Sequence, residues 1–364
     1  MGYDLKKIFG AFVATGEYVS GMPFGTGHIH DTFKILTRWE DSDDYVLQRI
    51  NRTVFANIPD LQRNIEIVTR HIRSKLSEIP GSDHSRQCLT PVYTRDGKSW
   101  HTEPDGSVWR MFVYIRNHRS YDIVDTEAKA FEGGRAIGRF VFMLSDLPGD
   151  SVAETIPGFH NIEKRLKALS ESISADRADR RRFVAGEIDE ILKRSGEMSH
   201  ILRLGREGKI PLRITHNDSK FNNILLDEND KALCVIDLDT VMPGYVHYDF
   251  GDAIRTAACT AAEDETDLSL VSFSVPLFEA WTKGFLGETR EILTPTEKEW
   301  LAFAPRLITY AQTVRFLTDY LDGDVYYKTK HTEHNLERTR TQLHLLKSME
   351  QQSESMERIV RKYC

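Results

Sequence analysis

The chain has 364 residues, 40% of them hydrophobic and 28% charged, with a formal net charge of −7. That composition can bury a real core, predicts two domains or one large two-lobed unit, and lacks the basic balance of a non-specific nucleic-acid binder. Scattered cysteines with no C-x-x-C pair, no apolar run near the ~18 residues of a membrane span and no signal-peptide core predict a cytoplasmic protein with no zinc site and no membrane partner.

The first element of interest is the turn Phe24-Gly25-Thr26-Gly27-His28-Ile29-His30 ahead of a strand. Gly25 and Gly27 would let backbone amides approach phosphate oxygens, although G-x-G is equally a plain hairpin turn. Thr32–Leu36 and Tyr45–Ile50 read as strands around an acidic turn. A sheet that grips phosphates would carry a cation on its third strand, paired with a helix glutamate. Here Gln48 holds that place, and Arg49 should point to the other face. Residues 60–78 fit a helix capped by Asp60, with apolar residues at three- and four-residue steps and Glu66 as a possible partner for Gln48. Trp109–Ile115 reads as a buried strand. Helical spacing follows over 125–145 and, with many charges, over 161–206, where Arg177, Arg180, Arg181 and Arg182 suggest a solvated face. Asn223–Leu226 and Ala232–Ile236 bracket a polar turn and form a hairpin inside the helical part. The segment from about 333 to 363 is again helical. A small strand-rich part followed by a larger helical part makes the fold class α+β.

The chemistry concentrates at Thr215–Asn223, THNDSKFNN, which contains H-x-D-x-x-x-x-N as His216, Asp218 and Asn223. At this spacing a carboxylate can aim a hydroxyl in line at a γ-phosphorus, and an amide oxygen can ligate a hard cation. Asp237 ends the returning strand of the hairpin, so antiparallel pairing can carry it beside Asn223 as a second metal ligand. Asp239 is a further candidate. An isolated H-N-D, or one Asp after a strand, is commonly just a turn. The order loop, hairpin, terminal Asp is what carries the functional reading.

These motifs resemble the aminoglycoside phosphotransferase and choline kinase superfamily, and within it the N-acetylhexosamine 1-kinase group. The likeness rests on GTGHIH at 25–30, YVLQRIN at 45–51, WRMFVYI at 109–115 and PLRITHNDSKFNNILLD at 211–227. It continues through VIDLDTVMPGYVHYDFGDAIR at 235–255, VRFLTDYLDGDVYY at 314–327 and EHNLERTRTQ at 333–342. The resemblance implies a two-lobed protein-kinase-like fold, residues 1–115 covering the nucleotide and 116–364 forming the catalytic and substrate lobe. It implies ATP and Mg2+ as cofactors and phosphoryl transfer to the anomeric hydroxyl of GlcNAc or GalNAc. Asp218 would be the catalytic residue, and Asn223 and Asp237 the metal ligands. Gly25, Gly27 and Gln48 would serve the nucleotide phosphates, and the 109–115 segment, through Phe112 and Tyr114, the adenine. His28 and Arg315 would line the sugar pocket, with Asp319 beside them. Thr256 replaces an expected aromatic and would loosen the N-acyl end of the pocket. Asp252 and Arg255 are either site residues or a structural ion pair.

Two other readings stay open. Tyr320, Tyr326 and Tyr327 could build a cage for a choline-type cation, and Asp319, Asp322 and Asp324 an acidic aminoglycoside pocket, with a homoserine-type acceptor also conceivable. A nucleotide-binding pseudokinase is the reading of a different class.

Overall fold

The computed structural model describes residues 2–25, 29–39 and 42–364. The calls on Gly27 and His28 therefore lie outside the described residues. The N-terminal region holds α1 (Leu5–Phe9), β1 (Glu17–Pro23), β2 (Asp31–Arg38) and β3 (Tyr45–Arg49). It continues with α2 (Ile58–Ser77), α3 (His84–Gln87), β4 (Pro91–Val92), β5 (His101–Thr102) and β6 (Val108–Val113). The strands form one antiparallel sheet in the order β1-β2-β3-β6-β4, with β5 also on β6.

Register decides what the sheet offers the site. Gln48 lies directly opposite Arg110, so the two side chains share one face. Arg49 turns to the other face and pairs with Asp31 at 3.1 Å. Helix α2 starts earlier than expected. Pro59 suits its first turn, and Asn57 caps it by accepting the Asp60 N–H, which corrects the cap assigned to Asp60.

The C-terminal part is helical: α4 (Glu127–Met143), α5 (Ile162–Ala175), α6 (Ala185–Met198) and α7 (His200–Arg206) come first. The short strands β7 (Arg213–Thr215), β8 (Ile224–Leu226), β9 (Ala232–Val235) and β10 (Met242–Gly244) interrupt them. Then follow α8 (Val246–Ala257), α9 (Val275–Thr289), α10 (Pro295–Glu299), α11 (Ala304–Asp322), α12 (His334–Gln351) and α13 (Ser353–Tyr363). Strand β8 pairs with β9 as a hairpin, and β7 with β10 as a separate antiparallel pair enclosing it in the chain, so two small two-stranded sheets carry the catalytic segments on a helical base.

The 161–206 stretch is three helices, not one. Asp176 adopts a left-handed conformation and ends α5, and the arginine run falls in the break. Arg181 and Arg182 are solvated, but Arg180 is half-buried and donates to Asp324 and to the Tyr320 carbonyl at 2.6 and 2.8 Å. That corrects the solvated-face reading for Arg180.

Two features fix the site. Helices α4 and α9 cross at backbone distance: a Cβ on Gly134 would stand 2.1 Å from the Trp281 carbonyl oxygen. A mixed apolar cluster joins the two parts. It packs Leu61, Ile65 and Val68 of α2 and Phe112 of β6 against Phe140 of α4 and against Ile214, Leu238 and Val241. The last three flank the catalytic loop and Asp237, so burying them seats the chemistry beneath the sheet.

Candidate active site

The H-N-D segment follows β7, and its geometry is set by α8. Asp249 accepts the backbone N–H groups of His216 and Asn217 at 2.8 and 2.6 Å, and the Ser219 hydroxyl donates to the Asp249 carbonyl. Asn217 sits at φ 63°, a strained value that asparagine tolerates, and its amide donates to the carbonyls of Thr215 and Thr240. His216 donates from Nε2 to the Ile236 carbonyl at 2.9 Å and accepts the Asp218 N–H on Nδ1. One imidazole thus ties the Asp218 loop to the strand that delivers Asp237.

Asn223 completes the junction. Its amide N–H groups donate to the Asp218 carbonyl at 2.8 Å and to the Asp218 carboxylate at 3.3 Å, which leaves Oδ1 free. Its own carbonyl accepts the Ile236 N–H at 2.9 Å, one residue before Asp237. The structure therefore brings Asp218, Asn223 and the Asp237 segment together through hydrogen bonds.

Asp218 is partly open to the cleft and pairs with Lys220 at 3.2 Å. Burial alone would raise its pKa; the Lys220 ammonium, with His216 and Arg255, holds it below the ordinary carboxylate value. Asp237 has φ 62° and opens to the cleft, and no hydrogen bond to its carboxylate forms among the described residues. Enclosure by the cleft walls and the nearby Asp239 and Asp218 charges push its pKa up to about 7. Such a carboxylate calls for a cation. Asp237 and the free oxygen of Asn223 are hard oxygen donors of the kind Mg2+ takes, and Mg2+ commonly binds through one or two carboxylates plus substrate phosphates. No cluster of three or more His, Cys, Asp or Glu able to hold a metal occurs among the described residues, so phosphate and water would complete such a site.

Asp239 does not join that set. Arg110 grips both its oxygens, and His30 donates from Nε2 at 2.8 Å while accepting the Asn51 N–H on Nδ1. Arg110 is 2% exposed. Burial would raise the Asp239 pKa, but Arg110 and His30 hold it well below the usual range. Gln48 accepts from Arg110 Nε at 2.9 Å and donates to Thr32 at 3.1 Å. The expected Gln48–Glu66 contact is replaced by this one: the buried cation comes from β6, across the register from the empty lysine place. Arg110 escaped the sequence reading because a lone arginine in an apolar strand carries no signal until the pairing is known. Lys220 was in plain view two residues after Asp218.

The remaining expected residues divide. Gly25 has φ 80°, a value that favours glycine, and, its chain neighbours aside, no atom of the described residues lies within 4 Å of where a Cβ would stand. Phe112 is a correction. Its side chain belongs to the inter-part core and its backbone lies between β3 and β4, so neither faces the cleft. The Tyr114 backbone N–H is taken by the Asp44 carbonyl at 2.8 Å, so of the adenine contacts expected of it that donor is used up; its ring packs against Phe24 under Lys34. Asp319 is also a correction: it accepts the N–H groups of Tyr326 and Tyr327 and the Asn335 amide at 2.7, 3.0 and 2.8 Å, and so shapes a turn. Thr256 turns its hydroxyl back onto the Ala253 carbonyl.

Arg315 pairs with no carboxylate among the described residues. It donates to Gln312 at 3.0 Å and lies 5.3 to 5.9 Å from the rings of Phe159, Tyr326 and Tyr327. Next to Phe159, His160 donates to the Asn217 carbonyl at 2.8 Å, which links this pocket to the Asp218 loop.

Solved structures of similar fold are kinases for small molecules. An amicoumacin kinase in complex with AMP-PNP and Ca2+ superposes with a TM-score of 0.61 at 15% identity, over 94% of this chain and 93% of that one. An aminoglycoside phosphotransferase from Alicyclobacillus acidocaldarius gives 0.62 at 11% identity, with 98% of each chain covered. A microcompartment-associated aminopropanol kinase gives 0.57 at 13% identity, with 97% of each covered. At these identities the likeness establishes the kinase-type fold. Residues 20–279, well over half of the sequence, match the phosphotransferase enzyme family, and the chain belongs to that family.

Proposed function

We propose that this phosphotransferase moves the γ-phosphoryl group of ATP to the anomeric hydroxyl of an N-acetylhexosamine, GlcNAc or GalNAc, with residues 1–115 covering the nucleotide and 116–364 holding the acceptor. Asp218 orients the 1-hydroxyl and accepts its proton late. Asn223 Oδ1 and Asp237 hold Mg2+, which when bound neutralises charge on the phosphate oxygens. Gly25 lies over the phosphates, and Gln48 orients Arg110. Arg315 donates to the sugar, and the small Thr256 widens the N-acyl end.

One observation carries the choice of acceptor: the Arg315 guanidinium in this pocket meets no carboxylate among the described residues. The three acids of the 319–324 turn that could welcome a cationic acceptor are committed elsewhere. Asp319 holds its turn, Asp322 takes Ser172 and Arg177, and Asp324 takes Arg180 and Asn335. Of the tyrosines that could cage a quaternary ammonium, Tyr326 and Tyr327 face Arg315 and Tyr320 faces Arg180. A neutral, hydroxyl-rich acceptor suits donors of this kind; an aminoglycoside or choline does not.

The test is a coupled ADP-release assay with GlcNAc, GalNAc, choline, homoserine and kanamycin. Saturable turnover with the two hexosamines alone is expected. Turnover with choline or kanamycin and none with a hexosamine would overturn the acceptor assignment, and no ADP with any of them would favour a nucleotide-binding pseudokinase.

A further inference from the structure

Asp249 and Asp252 lie one turn apart on α8, so they share a face. Asp249 is spent on the backbone of the catalytic loop. Asp252 therefore points at the same loop one turn further on, and the charges of Asp218 and Lys220 both act on it. Its two oxygens differ sharply. Oδ1 accepts from Arg255 Nε and Nη2 at 3.2 and 3.0 Å, whereas Oδ2 is buried and has no hydrogen-bond partner among the described residues. Arg255 also donates from Nη1 to Glu263 at 2.6 Å, so both Nε and Nη2 converge on the single oxygen Oδ1 of Asp252.

A purely structural ion pair would satisfy both oxygens. A buried carboxylate oxygen left without a donor is costly, and such atoms are kept where a ligand supplies the donor. The side chain is nine-tenths or more buried, and its neighbours in the loop are the groups assigned to the acceptor hydroxyl. We infer that Asp252 Oδ2 accepts a hydrogen bond from a second hydroxyl of the acceptor sugar, which makes Asp252 a specificity-determining residue. The sugar is then held between a donor, Arg315, and an acceptor, Asp252, while Asp218 addresses the 1-hydroxyl. The inference rests on the hexosamine reading above.

The test uses the full-length protein, Asp252→Asn and Asp252→Glu, with GlcNAc and its 3-, 4- and 6-deoxy analogues. Asp252→Asn removes the charge. Asp252→Glu keeps a carboxylate for Arg255 but displaces the free oxygen by one methylene, and so guards against a variant that fails to fold. Hydrogen bonds to charged groups suggest at least about a tenfold rise in KM for GlcNAc in each variant, with the KM for ATP changed less than about twofold. Sugar affinity measured by calorimetry without nucleotide should fall by the same factor. One deoxy analogue should bind native protein as weakly as GlcNAc binds the variants, and should lose nothing further in them. Unchanged sugar affinity, or equal losses for every analogue and for ATP, would overturn the inference and leave the acceptor assignment standing. Native protein inactive on every hexosamine would overturn both.

Discussion

Asp218 stays ionised in a place where burial alone would favour its protonated form, because Lys220 stands 3.2 Å away. The Asn223 amide also fixes its direction. Asp218→Asn keeps the shape and removes the base; turnover should fall at least about a hundredfold, with ATP affinity nearly unchanged. Near-normal turnover in the ADP-release assay would remove Asp218 from its role. Arg110 yields a different expectation, for stability. Replacing it with Met leaves Asp239 buried without its cation, and unfolding by denaturant should show a loss of about 3–5 kcal/mol. A loss under about 1 kcal/mol would show that Asp239 is hydrated. The spacing of His216, Asp218, Asn223 and Asp237 was readable because it lies within one loop and one hairpin. The Arg110–Asp239 pair joins residues 129 positions apart, and no local pattern announces such a contact. The misplaced roles of Phe112, Tyr114 and Asp319 share one cause: a sequence names a residue but not which of its polar groups the fold has already used.

Among the elements, the strands and helices were legible where periodicity was strong, as in α2, α4 and the β8–β9 hairpin. The break after α5 was not, because a charged stretch with good helix formers conceals a left-handed Asp176. Arg180 is drawn inward there by Asp324, an acid far along the chain. The glycines of α4 are the opposite case: poor helix formers retained inside a helix. A Cβ at Gly134 would meet backbone, which cannot move aside. Gly134→Ala should therefore lower the thermal midpoint, by an amount matching about 1–3 kcal/mol of overpacking, although alanine favours a helix by about 1 kcal/mol over glycine. A raised midpoint in calorimetry would mean that α4 and α9 are further apart than described.

For the whole molecule, two histidines are held neutral: His247 is fully buried and His160 half-buried against the catalytic loop. Burial, the largest cause in each, lowers His160 to about 3 and His247 to about 4. The unfolded chain binds these protons near pH 6.5 and the folded chain does not, so stability is highest above that pH and declines as pH falls below it. Each histidine contributes a slope of about 1.4 kcal/mol per pH unit between roughly pH 6 and the lowered value. His160→Gln, which can still donate to Asn217, should remove one such slope from unfolding curves taken between pH 7.5 and 5. An unaltered slope would show that the folded chain leaves His160 free to take up its proton. The α+β plan and its kinase-type order were readable from the succession of strands, hairpin and helices, whereas the closeness of Arg315 to the catalytic loop needed the packing of α11 on α8. The central claim is transfer to an anomeric oxygen, and phosphorus-31 NMR of the product formed from ATP, Mg2+ and GlcNAc tests it most directly. A phosphomonoester doublet that collapses on selective decoupling of the anomeric proton is expected. A doublet that collapses only on decoupling of another ring proton, a triplet, which marks a 6-phosphate, or release of inorganic phosphate alone would contradict it.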